Sequence, residues 1–248
     1  MKNILFLGSK PIGYRCLQHI INNREKLKVD ITGVLTNDNV RFDKSLSIKK
    51  LCEENKIKIF QKLDDILSLQ NIDFLISVQY HEILKKNHIA VARELAINLH
   101  MAPLPEYRGC NQFSFAIING DKEFGTTIHR LEEGIDNGDI LFESRFPVPE
   151  KCFVDELLQL TTEKSIALFE RSFSDIIAGN YTLISQAELS KKRKIGIHYR
   201  KDINAVKQID LSWAEDKIES HIRATLMPGF EPPYAFIGGK KIYFTINF

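Results

Sequence analysis

Residues 95–109, which read LAINLHMAPLPEYRG, indicate the fold most clearly. The apolar run 95–97 predicts a short buried strand, and side chains alternate faces along a strand. Asn98 and His100 therefore lie on one face, just before two prolines and a glycine turn the chain sharply. A carboxamide and an imidazole are thus held at the carboxyl end of a strand, where open α/β sheets bind their ligands. An amide donor beside a proton acceptor predicts a site for acyl transfer.

The chain before this stretch alternates strand-like and helix-like segments. Apolar runs predict strands at residues 3–7, 29–35, 57–60 and 73–78. Helices are predicted after Pro11, which suits a first helical position, and over 47–55. Because this alternation favours parallel strand pairing, we predict an α/β fold with a Rossmann-like, mostly parallel sheet flanked by helices.

The turn after the first strand, Gly8 to Gly13, lacks the GxGxxG pattern, so we infer no dinucleotide from it. Its exposed amides at a helix start can face an anion, or the segment can be an ordinary strand-to-helix turn. The sequence leaves both readings open.

The second half of the chain continues the pattern and then changes. The predicted elements are a helix at 113–118, strands at 125–131 and 138–146, and a long amphipathic helix at 154–178. Composition shifts near residue 185, which divides the chain into a main domain, 1–184, and a small C-terminal subdomain, 185–248. In the subdomain we predict a helix from Trp213 to Leu226 and a β-hairpin over 234–248, turning at Gly238-Gly239.

Composition excludes several classes of protein. A chain of 248 residues with a net charge of +2 fits one large domain, or one domain plus an appendage, with no general attraction to nucleic acid or membranes. The four cysteines are scattered without CxxC pairs, which indicates buried thiols in a reducing compartment and neither disulfides nor a metal site. Without a signal peptide or a transmembrane run, a cytoplasmic protein is expected.

Four ordered motifs carry a resemblance to a known family. They are Asn98-Leu99-His100 with Leu104-Pro105-x-Tyr107-Arg108-Gly109, then Asn119-Gly120-Asp121, then Gly125-Thr126-Thr127-Ile128, then Glu133-Gly134-Ile135-Asp136-Asn137-Gly138-Asp139-Ile140. This order, over most of residues 1–150, resembles the folate-dependent formyltransferases. Residues 100–113 and the tail Pro228–Ala235 are similar to the sugar N-formyltransferase branch, which acts on nucleotide-linked amino sugars such as dTDP-4-amino-4,6-dideoxyglucose.

The resemblance implies catalytic roles for Asn98, His100 and Asp136. Asn98 would donate to the formyl oxygen as it becomes an oxyanion, and His100 would take a proton from the attacking amine or stabilise the tetrahedral intermediate. Asp136 would orient His100. Asp139 competes for the carboxylate role, but Asp136 matches the family position. The remaining histidines considered, His81, His129 and His198, are interpreted as structural or exposed.

The resemblance also implies where the two substrates bind, with 10-formyltetrahydrofolate as the formyl donor and no metal. The expected folate-binding residues are Val78, Gln79, Tyr80, Ile83, Leu84, Leu131, Glu133 and Ile135. The expected contacts to the nucleotide-linked sugar are Ser9, Lys10, Met101, Pro103, Arg108 and Asn111. Met101, next to His100, is expected to shape the sugar pocket.

Several features stay open at this stage. The basic run Lys191–Lys194 fits a solvated loop or attraction of a phosphate-bearing substrate. Trp213 is interpreted as an anchor for the C-terminal helix, and Tyr234 and Phe236 as interface residues of a homodimer.

Other acceptors of the same chemistry are UDP-aminoarabinose, glycinamide ribonucleotide or methionyl-tRNA. A hydrolase that passes formyl to water and a non-catalytic binding module are further alternatives.

Overall fold

A computed structural model describes residues 1–37 and 46–245 of the chain. Its strands are β1 (Lys2–Gly8), β2 (Val29–Thr36), β3 (Ile59–Phe60), β4 (Ile72–Val78), β5 (Ala92–His100), β6 (Arg108–Gly109), β7 (Glu123–Arg130), β8 (Ile140–Pro147), β9 (Ile197–His198), β10 (Tyr234–Ile237) and β11 (Lys240–Tyr243). Its α-helices are α1 (Lys10–Leu27), α2 (Ile48–Glu54), α3 (Lys86–Ile89), α4 (Gln112–Asn119), α5 (Val154–Ala178), α6 (Gln186–Leu189), α7 (Ile203–Lys207) and α8 (Glu215–Thr225). Short 3₁₀ helices lie at Leu63–Ser68 and Arg200–Asp202.

The main sheet confirms the predicted fold class. Its seven strands run in the order β3-β2-β1-β4-β5-β7-β8. Neighbours from β3 to β5 pair in parallel, whereas β7 pairs antiparallel to both β5 and β8. The sheet is therefore mostly parallel, with an antiparallel edge next to the strand that carries Asn98 and His100.

Burial explains why the sheet forms as the apolar runs predict. Every residue of β4 is buried, as expected for a strand covered on both faces. One face packs against α1 and α5, through residues such as Leu17 and Phe169. The other face packs against the 3₁₀ helix at Leu63–Ser68, through Ile66. Burial on both faces fixes the carboxyl ends of the central strands along one edge.

Capping residues mark the start of α2 and the end of α5. The Ser47 side chain accepts a hydrogen bond from the backbone of Lys50, which starts α2 where the sequence predicts it. The long predicted helix is confirmed as α5, which ends at Gly179 in the left-handed conformation. No described helix combines the length and apolarity that crossing a bilayer requires.

The C-terminal hairpin is shorter than predicted. Strands β10 and β11 pair antiparallel around Gly238-Gly239, but β11 ends at Tyr243, and residues 246–248 of the predicted strand lie outside the described residues. The helix predicted from Trp213 begins at Glu215 instead. The Trp213 ring packs against His221 at a centroid distance of 4.6 Å, which fits an anchor for α8.

The basic run 191–194 is not simply a solvated loop. Arg193 forms an ion pair with Glu143 on β8 and donates a hydrogen bond to the Leu104 carbonyl at 3.1 Å. The Glu143 side chain is largely buried and therefore needs cationic partners, which Arg193 and Arg145 both supply. Strand β9 also pairs with β6, so residues on both sides of the predicted boundary at 184/185 are hydrogen-bonded together. The two-domain division stays a prediction.

Candidate active site

The site lies where β5 ends. Leu99 points into the hydrophobic core and is only 2% exposed, so its neighbours Asn98 and His100 point to the opposite face. Asn98 is partly buried, and His100 is buried. The structure therefore places the carboxamide and the imidazole together at the carboxyl edge of the sheet, as the sequence predicts.

His100 is held by a backbone carbonyl. Its Nε2 lies 2.7 Å from the Tyr107 carbonyl oxygen, and because a carbonyl only accepts, the Nε2 proton donates this bond. Its Nδ1 faces Asp136 Oδ2 at 3.6 Å. The Nδ1 atom is thus the nitrogen that can gain or lose a proton.

The Tyr107 side chain is held in place by two hydrogen bonds at its hydroxyl group. Its hydroxyl donates to Asp121 and accepts from the Asn119 amide, the latter at 3.0 Å. Burial and the Asp121 carboxylate raise the pKa of Tyr107, so the hydroxyl stays protonated. This network holds the carbonyl that orients His100.

Asp136 stays ionised despite its burial. Burial alone would raise its pKa, but the charge of His100, the hydrogen bond and charge of His129, and the Gly109 amide hold the pKa well below its usual range. The Gly109 N–H donates to Asp136 Oδ2 at 2.9 Å. The carboxylate that faces both imidazoles belongs to Asp136, whereas Asp139 contributes its backbone carbonyl to the Arg130 amide.

His129 belongs to this cluster, although sequence reasoning assigned it to a structural or exposed position. The residue is 1% exposed and pairs directly across the antiparallel ladder from Asn98. Its Nε2 lies 3.3 Å from Asn98 Nδ2 and 3.4 Å from Asp136 Oδ1. Of the other histidines, His198 stacks on Phe115 and His81 is exposed.

Gln186 is a second residue that sequence reasoning missed. It is 2% exposed, and its side-chain amide donates to the backbone carbonyls of Asp136 and Gly138, at 2.9 and 2.7 Å. Its Oε1 accepts two hydrogen bonds from the Arg108 guanidinium. Gln186 thereby ties the Asp136 loop to the turn that follows His100.

We expect Gln186→Leu to lower the free energy of unfolding by about 1–3 kcal/mol, because buried carbonyls and a guanidinium lose their partner. Chemical denaturation measures the change. Gln70→Leu, at an exposed position between secondary-structure elements, is the control. Equal stability of the Gln186 variant and the control would contradict this account.

Of the residues predicted to contact the sugar, four form polar contacts within the structure and two are apolar and buried. The four polar residues are Ser9, Lys10, Arg108 and Asn111. Lys10 donates a hydrogen bond to Gln79 Oε1 at 2.8 Å, and the Asn111 side chain donates to the Tyr199 carbonyl. Both hydrogen bonds are exposed. The Ser9 hydroxyl, nearly buried, accepts from the Asn37 amide. Arg108 is engaged with Gln186.

Met101 and Pro103 are both buried. Met101 is 2% exposed and packs in the core, and Pro103 is buried next to β7. The physical reason for Met101 is strand alternation, which turns it away from the face of His100. That its side chain shapes a sugar pocket stays a prediction.

The predicted folate residues are partly brought together. Tyr80, Leu84 and Leu131 pack against one hydrophobic cluster. Ile83 is 82% exposed, and Glu133 and Ile135 lie exposed on the Asp136 loop. Val78 is fully buried in the core below α1, so its side chain is not available to a ligand, and its carbonyl accepts from the Ser9 amide.

Unusual backbone conformations mark the same edge. Lys10, Gln79, Asn111 and Asp136 have φ values of 64°, 53°, 58° and 46°, a region that side chains other than glycine seldom adopt. Such conformations persist only where surrounding contacts enforce them, and they concentrate at functional sites. Of these four, Asp136 has its carboxylate toward His100, at 3.6 Å, whereas Lys28, Lys56, Asn71 and Lys151 have similar φ values.

The arrangement can support acyl transfer. An amide N–H donor, an imidazole with one free nitrogen and an ionised carboxylate lie within one cluster, the set needed to stabilise an oxyanion and move a proton. Within residues 1–37 and 46–245, no group of three or more His, Cys, Asp or Glu side chains is arranged to hold a metal ion.

Comparisons with known proteins give a consistent result. The model of a family described as Formyl transferase matches residues 2–171. GDP-perosamine N-formyltransferase from Brucella melitensis is 30% identical over 171 residues, which cover 69% of this chain and 63% of that protein. The matched segment thus spans less than two thirds of this relative.

Solved structures agree over nearly the whole chain. The sugar 3N-formyl transferase WlaRD, solved with dTDP and 5-N-formyl-THF, superposes with a TM-score of 0.80 at 28% identity, covering 98% of this chain and 85% of that one. An N-formyltransferase from Helicobacter canadensis, in complex with folinic acid and dTDP-3-aminofucose, gives a TM-score of 0.80 at 25% identity, covering 98% and 86%.

Proposed function

Because this chain belongs to the formyl transferase family, we propose that it transfers a formyl group from 10-formyltetrahydrofolate to the amine of a nucleotide-linked amino sugar. The observation that carries the proposal is the meeting of Asn98, His100 and Asp136 at the carboxyl edge of the sheet, within the matched segment. The similarity to sugar N-formyltransferases over 98% of the chain supports the class of acceptor.

Each residue has a distinct role in this reaction. The amine nitrogen bonds to the formyl carbon, and the Asn98 amide donates to the oxygen that becomes negative. The free Nδ1 of His100 accepts the proton that the amine loses, and Asp136 balances the resulting imidazolium. The His100 imidazolium then returns this proton to the donor nitrogen as the bond between the formyl carbon and that nitrogen breaks, which releases tetrahydrofolate and restores neutral His100. Because the amine must be unprotonated to attack, the rate falls at low pH.

We propose dTDP-4-amino-4,6-dideoxyglucose as the acceptor and surface polysaccharide, such as O-antigen, as the destination of the formylated sugar. The sequence similarity of residues 100–113 and 228–235 to sugar N-formyltransferases supports this choice. We also propose the cytoplasm as the compartment. The four cysteines, all within the described residues, form no disulfide with one another, which fits a reducing environment.

A panel of acceptors tests the function. The protein is incubated with 10-formyltetrahydrofolate and dTDP-, GDP- and UDP-linked amino sugars, together with glycinamide ribonucleotide and methionyl-tRNA, and products are identified by mass spectrometry. A formyl group added to dTDP-4-amino-4,6-dideoxyglucose supports the full proposal. Transfer only to another nucleotide sugar replaces the proposed acceptor. Transfer to none of the sugars overturns the function.

We propose that the formyl donor binds beside Tyr80, Leu84 and Leu131, whose packing against one cluster offers an apolar wall next to the Asp136 loop. Gln79 and the exposed Ile83, Glu133 and Ile135 would close over it.

We expect Leu84→Ala to raise the Kd of 5-formyltetrahydrofolate about tenfold, because burial of an aliphatic side chain contributes about 1.5–3 kcal/mol at most. Quenching of intrinsic fluorescence measures binding. Leu67→Ala, on an exposed 3₁₀ position outside this wall, should leave the Kd unchanged. Tight binding by the Leu84 variant would place the donor elsewhere.

We propose a homodimer formed through the C-terminal hairpin. Phe236, Ile237 and Ile242 are 53%, 55% and 46% exposed. Phe236 lies on one face of the two-stranded sheet and Ile237 and Ile242 on the other, so both faces expose apolar side chains. A lone hairpin is marginally stable, and a second copy would cover this surface.

Phe236→Glu is therefore expected to shift the protein from dimer to monomer in sedimentation velocity at micromolar concentration, because it places a charge in the apolar contact. Leu67→Glu serves as the matched control. A monomeric wild-type protein would rule the proposal out.

A further inference from the structure

The Asp136 loop, which joins β7 to β8, is exposed on its outer side. Its residues 132–135 are all exposed. Asp136 itself has a φ of 46°, in the left-handed region that residues other than glycine seldom adopt. Such a conformation persists only where neighbouring contacts enforce it. The contacts that reach this loop from the protein interior therefore decide where the Asp136 carboxylate lies.

Gln186 makes such contacts with the loop backbone. Its side-chain nitrogen donates to the Asp136 carbonyl at 2.9 Å and to the Gly138 carbonyl at 2.7 Å. Its oxygen accepts from Nε and Nη2 of Arg108, at 3.0 and 2.8 Å. A guanidinium only donates and a carbonyl only accepts, so the amide has a single orientation. Both of its hydrogens and both lone pairs of its oxygen are used.

The Asp136 side chain is held from the same direction. The Gly109 N–H donates to Oδ2 at 2.9 Å, and this oxygen faces His100 Nδ1 at 3.6 Å. Arg108 and Gly109 together form β6. This two-residue strand holds the carboxylate directly, through Gly109, and the backbone of the loop indirectly, through Arg108 and Gln186. The position of the carboxylate relative to His100 thus depends on Gln186.

The separation between Asp136 and His100 matters for the chemistry proposed above. An imidazolium forms at His100 as the amine loses its proton, so the counter-charge acts in the transition state. Coulomb energy weakens as the distance grows, and a misplacement of about 1 Å can cost about 100-fold in rate. Gln186 is 2% exposed, so its removal leaves its partners buried without hydrogen bonds.

We propose that Gln186 is a positioning residue, whose amide holds the Asp136 backbone and thereby keeps the Asp136 carboxylate opposite His100 Nδ1. The residue acts through Asp136 and not on a substrate. The inference rests on the proposed formyl transfer for its kinetic test, whereas the position of the carboxylate can be measured without any substrate.

The substrate-free test compares crystal structures of the wild-type protein and Gln186→Glu. The introduced carboxylate has the shape of the amide and keeps an acceptor for Arg108. It has no hydrogen to donate, and it repels the carbonyls of Asp136 and Gly138. We expect the distance between His100 Nδ1 and Asp136 Oδ2 to grow by about 1 Å, the scale of misplacement that affects catalysis. An unchanged distance would overturn the proposal.

The kinetic test uses Gln186→Glu and Gln186→Leu with the acceptor that the panel identifies. Both substitutions should lower kcat by about 10–100-fold with both KM values unchanged, because the lost support acts only in the transition state. A wild-type kcat in Gln186→Glu would show that only the contact with Arg108 matters, and it would overturn the proposal. An increase in KM alone would overturn it as well.

A control separates positioning from general destabilisation. His88 is also buried, at 2% exposure, and contacts Asp64 outside the site. His88→Leu should lower the Tm without lowering kcat, whereas a matching loss of kcat would overturn the specific role of Gln186. If the wild-type protein formylates no acceptor, the proposed function fails, and the two crystal structures still decide whether Gln186 positions the carboxylate.

Discussion

Asn98→Ala is expected to lower kcat for formyl transfer by about 10²–10³-fold while the Kd of the folate stays nearly unchanged. The reason is geometric. Asn98 lies on β5 with its amide nitrogen at the carboxyl edge of the sheet, held from the side by His129 at 3.3 Å. Alanine leaves the strand intact but removes the N–H that opposes the developing negative charge. Water in the resulting space is a poorer donor because it is not held in position.

Single-turnover kinetics with the accepted nucleotide sugar, together with folate binding, separate this effect from a loss of affinity. Asn55→Ala is the matched control, since Asn55 caps α2 far from β5 and donates to the Leu51 carbonyl. Turnover of the Asn98 variant at the wild-type rate would contradict the proposed mechanism.

Asp136→Asn should reduce kcat by about 10²–10⁴-fold, the range seen when a carboxylate that supports an imidazole becomes an amide. The imidazolium formed at His100 would lose its counter-charge 3.6 Å away. Asparagine tolerates the positive φ of 46° and can still accept from the Gly109 amide, so the loop should keep its shape. Rate measurements at saturating substrate, with circular dichroism as a check on folding, test this expectation.

Asp136→Asn should also change how the free energy of unfolding depends on pH. The folded state lowers the pKa of Asp136, so ionisation of this carboxylate stabilises the fold at pH values above the unfolded pKa, about 3.9. That contribution is lost as the pH falls through the folded-state pKa. The difference in unfolding free energy between wild type and Asp136→Asn should thus be constant near neutrality and shrink below about pH 4. A difference that grows on acidification would contradict the assigned charge.

Sequence alone predicts the strands, the long helix α5 and the shared face of Asn98 and His100, because each depends on residues close together in the chain. Met101, which directly follows β5, packs in the hydrophobic core, and its expected role in the sugar pocket stays a prediction. His129 could not be found in this way. Its contact with Asn98 depends on the antiparallel register of β5 and β7, which local patterns do not encode.

Gln186 illustrates the same limit over a longer distance. Its partners Gly138 and Arg108 lie 48 and 78 residues away in the chain. A lone glutamine in a polar segment is usually solvated, and only the folded structure shows that it is buried.

Residues 186–198 are bonded to the candidate site, so residues 1–184 and the C-terminal segment cannot be exchanged independently of each other. A fragment ending at 184 would keep Asn98, His100 and Asp136, yet it would lack the Gln186 amide, the Arg193 guanidinium and the strand that pairs with β6. Such a fragment would not be an autonomous catalyst. Grafting another tail onto residues 1–184, in order to change the acceptor, would therefore succeed only if the new segment reproduced these three attachments.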